Sequence, residues 1–254
     1  MPPRLILWLC AVVLLFVAGP PALGAEPRRS VGLPGKSAGA PAEWKAVLVA
    51  GDNAEPVFDN AVAAVARWLA ERGVPTHGIH RLNASPPPSD PSIMPASAER
   101  ILDRIASLRP RPDERCFVFI TSHGQRGEGI WLAYSGEFLR PAALAQALSA
   151  GCAGAPTVVI VSGCFSGAFT AARAPNRIII TASRADRPSF GCQADRTYTV
   201  FDECLLAALP RASTWRSAYD ASLGCVRRRE RQMQVVPSQP QGFFGAAVRK
   251  LPVR

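Results

Sequence analysis

Two uninterrupted apolar runs in the middle of the chain predict buried strands that each end beside a reactive side chain. The first run covers residues 117–120 and leads to His123, and the second covers residues 157–161 and leads to Cys164. A parallel strand that is covered on both faces has a continuous apolar run rather than an alternating pattern. Because ligands of open α/β sheets bind beyond the carboxyl ends of the strands, we expect the imidazole and the thiol to meet at one edge. Such a pair is what nucleophilic catalysis requires.

The rest of the pattern predicts strands that alternate with helices. Further strands are predicted at 45–50, 76–82 and 177–183; helices at 60–72, 97–108, 141–149, 200–209 and 215–231; a loop at 85–95; a hairpin or loop at 127–135; and a strand or short helix at 243–248. This alternation favours an α/β domain whose parallel sheet is built with right-handed crossovers.

The first 25 residues have the pattern of a secretory signal peptide. Arg4 precedes an apolar stretch at 5–19, and small residues surround a cleavage position after Gly24 or Ala25. The alternative is an uncleaved anchor, for which the apolar stretch is short, since a span needs ~20 residues. Residues 26–43 are rich in Pro, Gly, Ala and Ser and predict a flexible spacer, so the folded domain is expected at 44–254. The sequence therefore predicts an exported protein, periplasmic or secreted, or anchored if the signal is retained.

Six cysteines remain once the predicted signal, which holds Cys10, is set aside. They are Cys116, Cys152, Cys164, Cys192, Cys204 and Cys225. If Cys164 stays a free thiol, the other five permit at most two disulfides and one odd thiol. Cys116 and Cys152 each precede a predicted strand and can lie close at one sheet edge; the connectivity of the others stays open. No Cys-x-x-Cys pair occurs, so neither a zinc site nor any other metal or cofactor is predicted.

The charge pattern gives little support to a polyanion-binding function. The net charge is +10, but the arginines are scattered and acids interleave them. The densest cluster, at 227–231, is typical of a solvated helix face, with a polyanion or anionic-lipid site as the alternative. No nucleic-acid-binding motif is present, so no nucleic-acid partner is expected.

Cys164 and His123 are the candidate catalytic residues. Cys164 lies between Gly163 and Gly167, and glycines allow a sharp turn that leaves amides free to face a substrate. A helix that begins near Gly167 would lower the thiol pKa through its dipole. His123 would then act as general base and acid. The alternative for each is a buried structural residue.

Other catalytic signatures are missing from the sequence. The Gly-x-Ser-x-Gly elbow of α/β-hydrolases, the P-loop and the Gly-x-Gly-x-x-Gly fingerprint do not occur. Serine hydrolases of that fold and dinucleotide enzymes are therefore disfavoured.

Five stretches together resemble the C13 family of clan CD cysteine peptidases, which includes legumain and the catalytic subunit of the GPI transamidase. They lie at 47–51, 119–124, 162–167, 180–183 and 189–192, and the small exported bacterial members are the most similar. The resemblance implies a caspase-like α/β fold, a three-layer sandwich with a mostly parallel central sheet. It also implies metal-free cleavage by a dyad of His123 and Cys164, with the amides of Gly124 and Cys164 as the oxyanion hole.

The resemblance carries over less well to the substrate pocket. Legumains select asparagine with an arginine and acidic residues, but Asp59 stands at the arginine position here and Ser162 at that of a glutamate. Ser189 and Asp202 match a pocket serine and a pocket acid. We therefore expect an acidic pocket that accepts Lys or Arg at P1. The alternative for Asp59 is a cap for a helix that starts near Asn60.

Four functions follow from the sequence. The first is a cysteine endopeptidase acting on a peptide or protein substrate through a Cys164 thioester. The second is a transpeptidase of the same chemistry, in which an amine resolves the thioester. The third is a catalytically silent binding module on the same fold, and the last is a basic polyanion-binding or membrane-surface protein.

Overall fold

The computed structural model describes residues 43–87 and 89–253. The predicted signal peptide, residues 1–25, and all but the last residue of the predicted spacer, residues 26–43, lie outside the described residues. Both stay predictions. Within the described part of the chain, no helix combines the length and apolar character needed to cross a bilayer.

The strands form one large sheet and one small sheet. In chain order they are Trp44–Ala50 (β1), Ile79–Asn83 (β2), Ile93–Pro95 (β3), Arg115–Thr121 (β4), Gly124–Gln125 (β5), Gly129–Leu132 (β6), Glu137–Leu139 (β7), Thr157–Ser162 (β8), Arg177–Thr181 (β9) and Gln241–Phe244 (β10). The large sheet has seven strands in the order β10-β9-β8-β4-β1-β2-β3, and only β10 runs antiparallel to its neighbour. Strands β5 to β7 form the small antiparallel sheet.

Helices cover both faces of the large sheet. They are Val57–Ala70 (α1), Ala98–Ala106 (α2), Pro141–Gly151 (α3), Val200–Ala208 (α4) and Trp215–Met233 (α5). Side chains of α1, α4 and α5 share one apolar core with Leu48, whereas those of α2 and α3 share another with Val47. Neighbouring strand residues thus face different cores, which is why the strands read as continuous apolar runs. The predicted three-layer α/β sandwich with a mostly parallel sheet is confirmed.

Near the candidate site, one predicted helix start is wrong and one predicted helix differs in type. Helix α1 begins at Val57 rather than near Asn60, with Pro56 at its N-cap, so Asp59 lies in the first turn and does not cap the helix. The φ of Pro56 is −70°, which is already suited to a helix start. Beyond Cys164 a helix begins at Ser166, close to the expected Gly167, but it is a short 3-10 helix, Ser166–Ala172.

Three segments without a firm prediction gain regular structure through pairing. Residues 93–95, predicted as loop, form the edge strand β3 beside β2. Residues 241–244 form β10 along β9, and the hairpin or loop predicted at 127–135 belongs to the small sheet. Some of these pairings join segments that are far apart in sequence, and others join segments across short loops. Local propensity does not specify which segments pair.

Two disulfides lie in the described part of the chain. Cys116 is bonded to Cys152, and Cys204 to Cys225. The first pair joins the start of β4 to the C-cap of α3, and the second joins α4 to α5. Cys164 and Cys192 are free and half-buried, so the described cysteines comprise two disulfides and one thiol besides Cys164.

Candidate active site

The candidate site lies at the carboxyl ends of the two central strands. Strands β4 and β8 are parallel neighbours, with Thr121 of β4 opposite Ser162 of β8. His123 and Cys164 each follow two residues later. Since paired strands lie about 4.8 Å apart, the register brings the imidazole-bearing turn and the thiol-bearing turn side by side at one edge.

The two turns are in backbone contact, and glycine makes this possible. A Cβ atom at position 124 would lie 2.1 Å from the carbonyl oxygen of Cys164, and one at position 163 would lie 2.7 Å from that of Ser122. No other residue type fits at such distances without moving the backbone. Gly124 and Cys164, the residues whose amides the resemblance assigns to the oxyanion hole, are therefore direct neighbours.

The sulfur of Cys164 is held against Ser189. The Ser189 amide donates to Sγ at 3.3 Å, the thiol faces the Ser189 carbonyl oxygen at 3.4 Å, and the Ser189 hydroxyl lies at 3.8 Å. The next residue, Phe165, has a φ of 58°, a left-handed conformation that is uncommon for a bulky side chain. Its amide donates to the carbonyl oxygen of Arg187 at 2.8 Å, which helps to hold this turn. Strain of this kind concentrates at functional sites.

His123 is positioned by the small sheet and by α1. Its carbonyl oxygen accepts from the Trp131 amide at 2.9 Å, and the Ser122 hydroxyl donates to the Trp131 carbonyl at 2.8 Å. The imidazole packs edge-to-face on the ring of Phe58, with centroids 5.2 Å apart. Among the hydrogen bonds of the described residues, none joins this imidazole to Cys164. In enzymes without substrate, hydrogen bonds between catalytic groups are often long or not yet formed.

Asp202 is a fully buried carboxyl beneath the same strand ends. The Thr121 hydroxyl donates to its Oδ2 at 2.8 Å. Burial raises the pKa of Asp202 to about 6, and the hydroxyls of Thr121, Ser162 and Thr199 partly offset this rise. The carboxyl therefore connects the last residue of β4 with that of β8. Its own accessible surface is zero, so no side of it is open to solvent.

Asp59 lies farther along the edge of the sheet. Its carboxylate accepts a hydrogen bond of 2.5 Å from the side-chain amide of Asn83, the last residue of β2. Burial raises the pKa of Asp59, while Arg81 and the Asn83 amide act in the opposite direction. Because β1 separates β2 from β4, Asp59 is offset by about two strand spacings from the histidine-bearing strand.

The structure thus groups most of the predicted site residues. His123, Gly124, Ser162, Cys164, Ser189 and Asp202 surround the ends of β4 and β8, whereas Asp59 lies over the end of β2. Sequence reasoning missed Thr121 as a part of this region. Thr121 is a polar residue at the end of an apolar run, a signal that was available.

No group of three or more His, Cys, Asp or Glu side chains in the described residues is arranged to hold a metal ion. The comparison with curated proteins gives no significant match. The comparison with family models gives one for the peptidase C13 family over residues 97–224, about half of the chain. This range contains His123, Cys164, Ser189 and Asp202 but leaves out Asp59. The chain belongs to the peptidase C13 family.

Proposed function

We propose that the protein is a cysteine endopeptidase in which Cys164 is the nucleophile and His123 the general base and acid. Family membership supports a function of the cysteine-peptidase type. The observation that carries the residue assignment is the pairing of β4 with β8, which brings the His123 and Cys164 turns into contact.

In the proposed reaction, Cys164 Sγ attacks the carbonyl carbon of the scissile peptide while His123 accepts the thiol proton. The C–N bond then breaks, His123 gives this proton to the leaving amine, and a thioester on Cys164 remains. Water, deprotonated by His123, hydrolyses the thioester and regenerates the thiol. If an amine reaches the thioester before water does, the product is a new peptide bond, which is the transpeptidase alternative.

The amides of Gly124 and Cys164 are proposed to stabilise the oxyanion of each tetrahedral intermediate. Donors of this kind contribute ~3–4 kcal/mol each to transition-state stabilisation in comparable enzymes. Their proposed role is supported by the close approach of the two backbones, with position 124 directly over Cys164. A further donor to the sulfur itself is the Ser189 amide, which would help to hold Sγ in place.

For the substrate pocket we propose Ser162, Ser189, Asp202 and Asp59. Ser189 and Asp59 are half-buried and would face the substrate, whereas Ser162 and Asp202 are buried and would act from beneath the ends of β4 and β8. This pocket contains acidic residues, and Asp59 stands where legumains have an arginine. It is therefore expected to favour Lys or Arg at P1.

We also propose that the protein is exported and acts on peptides outside the cytoplasm. The signal-like residues 1–25 motivate this proposal. The two disulfides add support, because such bonds persist mainly in oxidising compartments.

Cleavage of a peptide library by the wild type, Cys164→Ala and His123→Ala tests the proposal. Both substitutions are expected to lower kcat/KM by about 10³-fold or more, as for other catalytic dyads. His77→Ala is the matched control, since His77 is exposed at the opposite end of the strands. A thiol-directed probe should label Cys164. Equal cleavage by all variants, together with an unlabelled Cys164, would overturn the assignment; an added amine separates hydrolysis from transpeptidation.

A further inference from the structure

A cavity of about 570 Å³ lies between helix α5 and the segment that leads into β10. Arg227, Glu230 and Arg231 of α5 line it, and most of the segment 235–241 contributes to its wall. None of the residues assigned above to catalysis or to the substrate pocket is among its lining residues. The cavity is therefore distinct from the candidate active site, and its volume is within the range of small-molecule binding sites.

The carboxyl group of Glu230 is buried in this wall without a cationic partner. Glu230 is 2 % exposed, and its Oε1 accepts a hydrogen bond of 3.0 Å from the Ser238 amide. Its Oε2 and the buried Ser238 hydroxyl have no hydrogen-bond partner, and no ion pair of the described residues includes Glu230. A buried carboxylate is costly unless a cation pairs with it. An ammonium group, with three donors, can satisfy both unpartnered atoms.

Two arginines give the open side of the cavity the opposite charge. Arg227 and Arg231 are exposed and lie one helical turn apart on α5. Within the described part of the chain, neither side chain forms an ion pair. A guanidinium group binds a carboxylate through two parallel hydrogen bonds. The cavity thus has a buried position for a cation and an exposed position for a carboxylate.

We propose that this cavity is a binding site for a zwitterionic amino acid or dipeptide with an apolar side chain. The ligand's ammonium group binds Glu230, and its carboxylate binds Arg227 or Arg231. Its side chain packs against Leu223 and Val235, which also line the cavity. A simple amine meets the two arginines at the opening, and a simple carboxylate meets the buried acid. A ligand with both charges therefore fits better than a ligand with either one.

The wall of the cavity is hydrogen-bonded to the loop beside the candidate active site. The Arg184 amide donates to the carbonyl oxygen of Ser238 at 2.9 Å, and its guanidinium donates to Gln239 at 2.7 Å. Three residues later, the carbonyl oxygen of Arg187 accepts from the Phe165 amide at 2.8 Å. The terminal torsion of Glu rotates broadly, so Oε2 of Glu230 can turn toward a ligand without movement of this loop.

Isothermal titration calorimetry at pH 7 with L-leucine and L-leucyl-L-leucine tests the site and distinguishes the amino acid from the dipeptide. Two analogues each lack one charge of leucine: 3-methylbutylamine has only the ammonium group, and 4-methylpentanoate only the carboxylate. We expect at least one zwitterion to bind about tenfold more tightly than either analogue, because each analogue loses a charge-assisted contact. The site is overturned if neither zwitterion binds, or if an analogue binds as tightly.

Substitutions in the wall assign each charge of the ligand to its partner. Glu230→Gln should weaken binding of the zwitterion by about tenfold or more, without weakening binding of 4-methylpentanoate. The double variant Arg227→Gln/Arg231→Gln should remove the preference for the zwitterion over 3-methylbutylamine, and it decides the question alone if Glu230→Gln does not fold. Arg228→Gln, exposed on the same helix but outside this wall, is the control.

Unchanged zwitterion binding by a folded Glu230→Gln, or by the double arginine variant, would also overturn the site. The titration measures no peptide cleavage. A protein that binds the zwitterion but cleaves no peptide would therefore sink the peptidase assignment alone, and a peptidase that binds none would sink this site alone.

Discussion

The hydroxyl of Thr121 donates a hydrogen bond of 2.8 Å to the buried carboxyl of Asp202. Thr121 is the last residue of the strand that leads to His123, and Asp202 lies in the first turn of α4. With the Ser162 hydroxyl facing the same carboxyl, one acid on a helix links the ends of the two strands that lead to His123 and Cys164. The resemblance to legumain-like peptidases predicted Asp202 as a pocket acid, and the structure gives it this additional contact.

Asp202 should make the stability of the fold depend on pH. Its pKa is about 6 in the folded protein against an ordinary value of 3.8, so the folded state binds the proton more tightly. Stability from this group is complete below about pH 4 and is lost as the pH rises through about 6, by roughly 3 kcal/mol in total. Asp202→Asn should remove that slope from urea unfolding measured at pH 4 and pH 7.

Asp195→Asn is the control for this measurement, because Asp195 is exposed in the same region of the chain. It should leave the pH dependence unchanged. An Asp202→Asn variant with the wild-type slope would show that other groups cause it.

Gly124→Ala should damage the site through its backbone. The added methyl would lie 2.1 Å from the Cys164 carbonyl oxygen, so the two turns must separate. Overpacking of this kind costs about 1–3 kcal/mol in stability, and we expect kcat/KM to fall at least about tenfold as the oxyanion donors move. Gly154→Ala places its methyl in open space and should behave like the wild type. Normal kinetics of Gly124→Ala would contradict the proposed oxyanion geometry.

Removing the Cys204–Cys225 disulfide should destabilise the protein. The bond closes a loop over a sequence separation of 21 residues, for which the chain-entropy model gives about 3 kcal/mol. Replacing both cysteines by serine should lower the urea midpoint accordingly under oxidising conditions. Cys192→Ser, at a free thiol, serves as the comparison and should cost less. Equal midpoints for the two variants would mean that the disulfide adds no net stability.

Asp59→Asn tests the preference for basic residues at P1. If the carboxylate attracts Lys or Arg, kcat/KM for a P1-arginine peptide should fall by about tenfold relative to a P1-alanine peptide, since one charge contact contributes roughly 1–2 kcal/mol. If Asp59 only holds Asn83, both peptides should lose activity to the same extent. Asp113→Asn, at the exposed opposite end of the strands, is the control. A wild-type enzyme with no preference for basic P1 would end the hypothesis before the variant is made.

Much of the fold could be predicted because the strongest signals are local. The runs at 117–120 and 157–161 fall inside β4 and β8. The alternation of strands and helices indicated that the sheet is mostly parallel. What joins these strands side by side is a long-range pairing, which the sequence indicated only through the need to bring His123 and Cys164 together. The start of α1 was missed because its N-cap is Pro56, which has no capping side chain, whereas Asp59, three residues later, has the side chain of a typical cap.

The substrate side of the site was harder to predict for a physical reason. The surroundings of Asp59 and Asp202 depend on Asn83 and Thr121, which come from other strands, and no local pattern couples those positions. The contact of Ser189 with Cys164 depends likewise on the path of residues 182–199, which has no hydrophobic periodicity. The dyad, by contrast, lies directly after two buried strands, where the pattern is strongest.

Strands β4 and β8 are hydrogen-bonded on both sides, by β1 and by β9, and occupy the middle of the sheet. Interior strands of this kind open only when the whole domain opens, so the free energy that protects their amides from exchange with solvent should equal the free energy of global unfolding. The turns that carry His123 and Cys164 should share this protection, because they follow these strands directly. Heating should therefore inactivate the protein in a single cooperative step that coincides with unfolding.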